Sequence, residues 1–342
     1  MPEVAATGEL PVINRRDLAV AMAAIASVPA SVHAEGKAAG KVRSVTLRSA
    51  NVPGDVPVSI YTPPAYDQGR PLPLMLLLHG GNGSDRDLLR FIPAIDTAIA
   101  DGRIPPVVIA TPSARRSLYM DFKDGSQRWE TFIISDLLPH LRDTLAVSAE
   151  RRDSFVGGYS MGGLGSLRLA FKHPEVFGAV AGLEPAVEPV LSWSDAGPRV
   201  KFWRPEKVIE PMFGSPIDLD YWAANHPPTI AKRDPGRLID LPIYIDVGDQ
   251  DMLYLNQGAE FLHRVLFDAG VGHEYRLVHG ADHVGPSLVP RLLEAMEFIG
   301  RQIRPPGWID ETVLKTRAVY DDIKRAAGVP VEPVDPRRIR GL

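Results

Sequence analysis

The sequence predicts an α/β fold in which a mostly parallel central sheet is flanked by helices and preceded by an antiparallel hairpin. Two observations support this prediction. Between residues 72 and 302, short apolar segments alternate with longer segments whose apolar residues recur at helical spacing. Before them, residues 42–47 and 56–61 alternate apolar and polar side chains around the turn-forming residues 51–55. Parallel strands need long crossover connections, and helices between successive strands provide them.

Strands and helices follow one another in a regular order after the hairpin. We predict strands at residues 72–78, 106–110, 154–156, 179–182, 243–247 and 274–278, and helices at 85–100, 127–145, 163–171, 257–269 and 288–302. The segment 72–78 is almost continuously apolar, as expected for a strand buried on both faces. The helix at 127–145 is predicted from four apolar residues spaced four apart, Trp129, Ile133, Leu137 and Leu141.

Composition and charge exclude several classes of function. The chain has 342 residues, of which 45% are apolar and 23% are charged, as is typical of a globular protein. The formal net charge is −4 and no basic stripe is present, so we expect no nucleic-acid partner. The absence of cysteine excludes disulfides, thiolate catalysis and cysteine-ligated metals.

The N-terminal residues 1–34 resemble a twin-arginine export signal. Arg15 and Arg16 precede a short, mildly apolar stretch, and residues 32–34 are suited to cleavage. The apolar stretch is too short and too interrupted to span a membrane. We therefore expect a periplasmic or secreted protein. The alternative is an alanine-rich amphipathic helix at the start of a cytoplasmic protein.

Residues 35–305 are predicted to form the main domain, and two segments differ from its regular pattern. Residues 184–240, a cap-like insertion, are proline-rich and contain six aromatic residues, Trp193, Phe202, Trp203, Phe213, Tyr221 and Trp222. This insertion either roofs a pocket or is a long connection whose aromatic side chains pack on the domain. The tail, residues 306–342, has a Pro- and Arg-rich end and is predicted to dock as a helix through one apolar stripe, Ile309, Val313, Tyr320 and Ile323.

Residues 158–162 read Gly-Tyr-Ser-Met-Gly and match the pattern G-x-S-x-G. A short apolar strand precedes this pentapeptide, and a helical segment rich in small residues follows it. A strand-to-helix turn of this kind is so tight that side chains at the flanking positions would clash, which accounts for the glycines. We therefore predict that Ser160 projects from the C-terminal end of a strand and acts as a nucleophile.

A nucleophilic serine needs a base that removes its proton, and we assign this role to His283. In this architecture the base follows the acid in chain order. His283 lies in the loop after the last strand, at the same edge of the sheet as Ser160. His279 is the alternative, but it lies at the strand end, where we expect its side chain to be packed. His173 ends a helix, and we expect it to be structural.

The acid that orients the imidazole is predicted in the loop after residues 243–247. Three aspartates compete for this role. Asp246 lies within the strand, and Asp249 follows the turn glycine, where it is suited to capping the turn. Asp251 lies further into the loop, from which its side chain can reach the next loop. We choose Asp251 and keep Asp249 as the alternative.

Acyl chemistry at a serine also needs N–H donors for the negative charge that develops on the carbonyl oxygen. The backbone N–H of Met161 is one predicted donor. The second is expected from the loop after the strand at residues 72–78, where we choose the N–H of Gly81. His79, in the same loop, is expected to organise the loop rather than to catalyse.

Taken together, these residues resemble the α/β-hydrolase fold. Within it they are similar to the esterase family that includes esterase D (S-formylglutathione hydrolase), feruloyl and acetyl-xylan esterases, enterochelin esterases and mycolyltransferases. The resemblance covers residues 42–303 and rests on six stretches, residues 76–81, 129–139, 158–163, 171–177, 248–251 and His283. It implies Ser160 as nucleophile, Asp251 as acid and His283 as base, with neither a metal nor a cofactor. It also implies that Glu130 either buttresses the site or is an ordinary carboxylate at a helix start.

The expected function is that of a serine carboxylic-ester hydrolase that forms an acyl-serine intermediate on a small-molecule ester substrate. One alternative is an acyltransferase that uses the same serine, with a sugar or alcohol in place of water. The other is a catalytically silent binding module on the hydrolase scaffold, against which a complete set of serine, acid and histidine argues.

Overall fold

The computed structural model describes residues 39–340, and its centre is an eight-stranded sheet. The strands are β1 (Lys41–Arg48), β2 (Asp55–Thr62), β3 (Leu74–Leu78), β4 (Val108–Pro112), β5 (Ser154–Tyr159), β6 (Ala179–Leu183), β7 (Ile243–Gly248) and β8 (His273–Val278). Their order across the sheet is β1-β2-β4-β3-β5-β6-β7-β8. The β1–β2 and β2–β4 pairs are antiparallel, and every later pair is parallel. The predicted fold class, with its N-terminal hairpin, is confirmed.

Helices cover both faces of this sheet. The α-helices are α1 (Leu88–Ala100), α2 (Trp129–Thr131), α3 (Leu138–Thr144), α4 (Met161–Lys172), α5 (Pro198–Trp203), α6 (Glu206–Phe213), α7 (Leu219–Ala224), α8 (Pro227–Arg233), α9 (Leu255–Asp268), α10 (Leu288–Ile303) and α11 (Glu311–Ala326). Short 3₁₀ turns lie at Pro64–Gln68, Asp85–Asp87, Arg151–Asp153, Trp193–Asp195, Pro235–Leu238 and Pro336–Arg338. None of the helices in residues 39–340 combines the length and the apolar character that crossing a membrane requires.

The alternation of side chains along β3 separates two hydrophobic cores. Leu74, Leu76 and Leu78 point to one face, where they join α4 and the insertion. Met75 and Leu77 point to the other face, where they join α1 and α10. All five residues of β3 are buried, as its continuous apolar sequence predicts.

The predicted helix at 127–145 begins at Trp129 and contains a π-helical segment, Phe132–Leu137, between α2 and α3. Residues four apart on an α-helix of about 3.6 residues per turn drift by about 40° at each step. The wider π turn offsets this drift. Trp129, Ile133, Leu137 and Leu141 are all buried, as the four-residue spacing predicts.

The predicted element boundaries differ from the structure mainly near glycine and proline. Strand β5 continues for three residues beyond the predicted end, because Gly157 and Gly158 pair with β3 and β6 instead of starting the turn. Helix α4 begins at Met161, two residues earlier than predicted. Leu72 precedes β3 and forms only an isolated bridge with Val147.

The aromatic residues of the insertion mostly pack on the domain. Trp193, Phe213 and Trp222 are buried in the same hydrophobic core as α4, and Trp203 and Tyr221 pack against it. The sixth aromatic residue, Phe202, is 63% exposed. Five of the six side chains thus behave as expected for a long structured connection.

The tail forms the predicted helix, α11, but the apolar stripe is not buried. Val313, Tyr320 and Ile323 are exposed, and α11 contains no buried residue. An isolated bridge joins Ile309 to Ile339 within the tail, and Arg338 donates to Gln302 of α10 at 3.3 Å. The prediction of a helix docked through this stripe is therefore wrong. The predicted export signal at residues 1–34 lies outside the described residues, and the periplasmic or secreted location remains a prediction.

Candidate active site

Ser160 lies between β5 and α4 in a strained backbone conformation, with φ 57° and ψ −118°. This region is unfavourable for residues other than glycine, and such strain costs about 1–3 kcal/mol where the surrounding structure maintains it. Two main-chain hydrogen bonds provide that support. The N–H of Ser160 donates to the carbonyl of Leu183 at 3.0 Å, and its carbonyl accepts from the N–H of Ala186 at 3.1 Å. The loop after β6 thus fixes the turn that carries the serine.

The flanking glycines are required by backbone contacts. A Cβ at Gly162 would lie 2.0 Å from the carbonyl oxygen of Leu78, and a Cβ at Gly158 would lie 2.6 Å from the same oxygen. Both distances are far below van der Waals contact. The strand β3 therefore approaches the serine turn so closely that only glycine fits on either side, as predicted from the pentapeptide.

Ser160, His283 and Asp251 form a continuous hydrogen-bonded chain. Nδ1 of His283 lies 2.9 Å from Oδ2 of Asp251. A carboxylate only accepts hydrogen bonds, so Nδ1 carries the proton and Nε2 is free to accept. Nε2 lies 3.0 Å from Oγ of Ser160, which donates to it. This is the arrangement in which a histidine can remove the proton of a serine hydroxyl.

The loops after β7 and β8 hold this chain in place. Oδ1 of Asp251 accepts from the N–H groups of Leu253 at 2.8 Å and Leu255 at 3.3 Å. Oδ1 of Asp282 accepts from the N–H of His283 at 2.6 Å and from that of Met252 at 2.9 Å. Asp282 therefore joins the acid loop to the histidine loop, a role that the sequence analysis missed.

The competing acids and histidines have other partners. Asp249 pairs with His279 at 2.7 Å and also accepts from the N–H of Gly280. The expectation that His279 is packed is wrong, because its side chain is 96% exposed beyond the strand end. Asp246 is buried within β7 and pairs with Arg291. His173 bonds to Glu130 at 2.8 Å, consistent with a structural role.

The loop after β3 is organised by His79. The N–H of Ala114 donates to Nε2 of His79 at 2.9 Å, so Nδ1 carries the proton and donates to the carbonyl of Gly80 at 2.7 Å. Burial lowers the pKa of His79, which favours this neutral form. Gly80 lies beside Tyr159, the residue before Ser160. A Cβ on Gly80 would be 2.9 Å from the ring of Tyr159.

The two predicted oxyanion donors are backbone N–H groups at this end of the sheet. Met161 is the first residue of α4, where a helix leaves its N–H groups without intrahelical acceptors. Gly81 follows β3 by three residues, and the space beside its Cα is open. Within residues 39–340, neither N–H has a hydrogen-bond acceptor. Both are therefore available to an oxyanion.

Glu130 lies away from this chain of hydrogen bonds. Its carboxylate contacts Lys172 at 2.6 Å and His173 at 2.8 Å, at the C-terminal end of α4. Helix α4 separates these residues from Ser160 by about 17 Å at 1.5 Å per residue. Glu130 therefore anchors the far end of α4 and contacts none of Ser160, Asp251 and His283.

A second carboxylate, Glu184, lies directly behind His283. It is fully buried, and its Oε1 is 4.0 Å from Nδ1 of His283. Glu184, Asp251 and His283 have donor atoms within 4.8 Å of one another, as a metal site would require. Nδ1 of His283 is already engaged with Asp251, however, so the arrangement fits a hydrogen-bonded relay.

The pKa shifts at this site favour a charged histidine. Burial lowers the pKa of His283, but the hydrogen bond with Asp251 and the charges of Glu184 and Asp251 outweigh burial. The net result is a pKa above the ordinary value of histidine. Burial raises the pKa of Glu184 to about 7, against the opposing effects of His283 and Arg291.

The chain belongs to a family of esterases. The family model described as Putative esterase matches residues 49–288, which include Ser160, Asp251 and His283. This match covers more than half of the chain and defines the class of protein, and the esterase family expected from the sequence motifs is confirmed.

Two curated relatives carry esterase names. The chain is 32% identical over 121 residues to an esterase of Mycobacterium tuberculosis, across 34% of this chain and 26% of the relative. It is 28% identical over 230 residues to an iron(III) salmochelin esterase of Escherichia coli, across 64% of this chain and 50% of the relative. The chain thus spans between about a quarter and a half of the length of these relatives.

Solved structures show the same fold. A ferulic acid esterase superposes with a TM-score of 0.64 at 20% identity, over 77% of this chain and 99% of that one. The α/β-hydrolase fold expected from the sequence is thus confirmed.

Proposed function

We propose that this protein is a serine carboxylic-ester hydrolase that acts through an acyl-serine intermediate. The observation that carries the proposal is the hydrogen-bonded chain from Ser160 through His283 to Asp251, with distances of 3.0 and 2.9 Å. The strained serine turn supports it, as do the N–H groups of Gly81 and Met161, which have no acceptor among the described residues. The membership of an esterase family supports ester bonds as the substrate class.

In the first half of the proposed reaction, Nε2 of His283 accepts the proton of Ser160 while Oγ attacks the ester carbonyl. The N–H groups of Gly81 and Met161 donate to the oxyanion of the tetrahedral intermediate. His283 then donates its proton to the leaving alcohol, and the acyl group remains on Ser160. Asp251 keeps the imidazole oriented and stabilises its positive charge.

In the second half, water attacks the acyl-serine. His283 accepts a proton from this water and returns it to Oγ of Ser160 as the carboxylic acid leaves. Water is thus the acyl acceptor in this proposal. Measurement of products with an added alcohol or sugar distinguishes hydrolysis from acyl transfer, which uses the same serine.

The test is turnover of p-nitrophenyl acetate by single variants. We expect Ser160→Ala and His283→Ala each to lower kcat/KM by at least about 10³-fold, because each removes a member of the proton relay. His279→Ala is the matched control. His279 is exposed and, among residues 39–340, pairs with Asp249, so its loss is expected to leave kcat/KM within about twofold.

Thermal unfolding of each variant shows whether it is folded. Wild-type turnover by a folded Ser160→Ala variant would overturn the proposal. Equal losses from His279→Ala and His283→Ala would reject His283 as the base. Labelling of the wild type, but not of Ser160→Ala, by a fluorophosphonate gives an independent measure of the nucleophile.

The names of the relatives suggest which esters to compare first. They include an acetyl esterase of Caldicellulosiruptor saccharolyticus and a xylanase/feruloyl esterase of Xylanibacter ruminicola. We propose acetyl and feruloyl esters as the first two substrate classes. The ratio of kcat/KM for the two esters measures which acyl group the site between Ser160 and the loop after β3 accepts.

A further inference from the structure

We infer that Glu184 is a second carboxylate that positions His283 and stabilises its charged form during catalysis. The inference rests on the proposed function, because it assigns a role at the same serine–histidine pair. It adds a residue that follows β6 to a relay whose members follow β5, β7 and β8.

The position of Glu184 in the sheet brings it to the histidine. It is the first residue after β6, which lies between the strand that carries Ser160 and the strand that precedes Asp251. Its φ of 37° lies in the left-handed region, which residues with a side chain rarely adopt. Its N–H donates to the carbonyl of Asp246 on β7 at 2.6 Å. The backbone therefore turns sharply and directs this side chain below the loops that carry the relay.

The two oxygens of Glu184 have different surroundings. Oε2 accepts from Nη1 of Arg291 at 2.8 Å. Oε1 has no hydrogen-bond partner within residues 39–340, and it faces Nδ1 of His283 at 4.0 Å. A buried carboxylate oxygen without a hydrogen bond is unfavourable, so its presence at the base of the relay needs a reason. A positive charge on His283 would offset this cost by electrostatic attraction at 4.0 Å, because the Nδ1 proton itself is donated to Asp251.

The surrounding charges leave Glu184 free to act on the histidine. Arg291 makes its closest pair with Asp246, through bonds of 2.6 and 3.2 Å. One guanidinium therefore faces two buried carboxylates, and above the pKa of Glu184, which burial raises to about 7, one negative charge remains uncompensated while His283 is neutral. The positive charge that forms when His283 accepts the proton of Ser160 balances this negative charge. The charged groups that face Glu184 are His283, Arg291 and Asp246, and Asp251 approaches the same imidazole nitrogen, Nδ1, at 2.9 Å.

The size of the effect follows from its distance. An opposite charge within about 4–6 Å shifts a pKa by about 1–3 units in partly buried sites. Loss of the Glu184 charge should lower the pKa of His283, because the imidazolium would lose a negative neighbour. The imidazolium of the transition state would be less stable for the same reason. Glu184 thus acts through His283 and contacts neither Ser160 nor the substrate carbonyl.

The experiment measures the rate at which a fluorophosphonate labels Ser160, between about pH 5 and pH 9. His283 must be neutral to accept the proton, so the rate rises with pH through the pKa of this histidine. We expect Glu184→Gln to move this rise to lower pH by about one unit and to reduce kcat for p-nitrophenyl acetate about tenfold with little change in KM. Gln keeps the shape and the bond to Arg291 but removes the charge.

Glu184→Asp and Glu188→Gln serve as matched controls. Glu184→Asp restores the negative charge at a slightly longer distance, and we expect it to return the rise in labelling rate toward the wild-type pH. Glu188 is a buried carboxylate four residues further on, and it pairs with Arg204 instead of with His283. Glu188→Gln is therefore expected to leave the pH of the rise unchanged, whatever it does to the melting temperature.

The outcomes separate this inference from the proposed function. The inference would be overturned if the labelling rate of a folded Glu184→Gln variant rose at the wild-type pH, or if Glu188→Gln moved that pH by the same amount. Neither result would change the assignment of Ser160 as the nucleophile. If Glu184→Gln does not fold, Glu184→Asp provides the test. Its carboxylate lies further from His283, so the labelling rate should rise at a slightly lower pH than in the wild type. A rise at the same or a higher pH would contradict the inference. Labelling that survives Ser160→Ala would instead reject the proposed function itself.

Discussion

Helices α4 and α11 were both predicted from sequence, and their surroundings in the structure are opposite. Eleven of the twelve residues of α4 are buried, from Met161 to Phe171. None of the sixteen residues of α11 is buried. Helix α11 has an apolar stripe of the kind that normally marks a buried face, whereas α4 begins with small residues and lacks a clear stripe.

The comparison shows that close backbone approach, more than an amphipathic pattern, determines burial here. The glycines of α4 allow β3 and β6 to approach the helix, since a Cβ at Gly162 or Gly163 would meet a strand carbonyl within 2.5 Å. Helix α11 follows the last core helix, and none of its residues belongs to either hydrophobic core. An apolar stripe is buried only where the fold supplies a surface to cover it.

The largest effect is expected where α4 touches the sheet. On helix propensity alone, Gly162→Ala should stabilise the protein by about 1 kcal/mol. The structure predicts the opposite sign, a loss of at least about 3 kcal/mol or no soluble protein, because the new Cβ would lie 2.0 Å from the carbonyl oxygen of Leu78. Soluble yield and denaturant unfolding measure this loss.

The inverse substitution in α11 is the control. Ala318 is exposed within that helix, and Ala318→Gly should follow propensity alone, with a loss of at most about 1 kcal/mol. A Gly162→Ala variant as stable as the wild type would show that α4 does not depend on contact with the β3 backbone.

An intermediate effect is expected at the far end of α4, where Glu130 bonds to Lys172 and His173. Burial raises the pKa of Glu130, but the bond from His173 and the charge of Lys172 outweigh it, so the pKa lies below its ordinary value. Glu130→Gln should therefore lower the free energy of unfolding by about 1–3 kcal/mol at pH 7. Its kcat should stay near the wild-type value, because α4 separates it from Ser160.

The pH dependence gives this prediction a definite sign. A carboxylate whose pKa is lowered in the folded state stabilises that state above its unfolded pKa of about 4.3, and this stabilisation is lost as the pH falls through the folded value. The difference between the wild type and Glu130→Gln should thus shrink below about pH 4. A difference that stays constant from pH 7 to pH 3 would contradict an ionic role for Glu130.

The smallest effect is expected on the exposed stripe of α11. Tyr320 and Ile323 are 61% and 57% exposed, so Tyr320→Ser and Ile323→Ser should each change the free energy of unfolding by no more than about 0.5 kcal/mol. Thermal unfolding of the two variants measures it. A loss of about 2 kcal/mol or more would mean that this face is buried in solution, which would remove the contrast with α4.

Much of the fold could be predicted because it is set by local patterns. The apolar run of β3 and the alternation in the hairpin identify the strands, and the helices between the later strands indicate parallel pairing. The predicted ends of strands and helices were less accurate near glycine and proline, because these residues occur both inside an element and at its end. Gly157 resembles the start of a turn in sequence, but in the structure it continues β5 because its neighbours on both sides supply strand partners.

The candidate site was predictable to the extent that its residues follow strands in a known order. Ser160 could be identified from its pentapeptide, and His283 from its place after β8. The choice between Asp249 and Asp251 needed the tertiary structure. The two residues are only two apart in the sequence, but Asp249 bonds to His279 and Asp251 bonds to His283. Asp282 carries no sequence signal at all, since its role is to bridge two loops.

By itself the sequence determined the order of strands and helices and the tight turn that presents Ser160. These features depend on backbone periodicity and on the steric limits of glycine, both of which act over a few neighbouring residues. The tertiary structure alone decided which acid meets His283, that Glu184 lies 4.0 Å behind it and that the stripe of α11 is uncovered. Those outcomes depend on distances between residues far apart in the chain, and such distances are fixed only when the sheet brings the loop ends together.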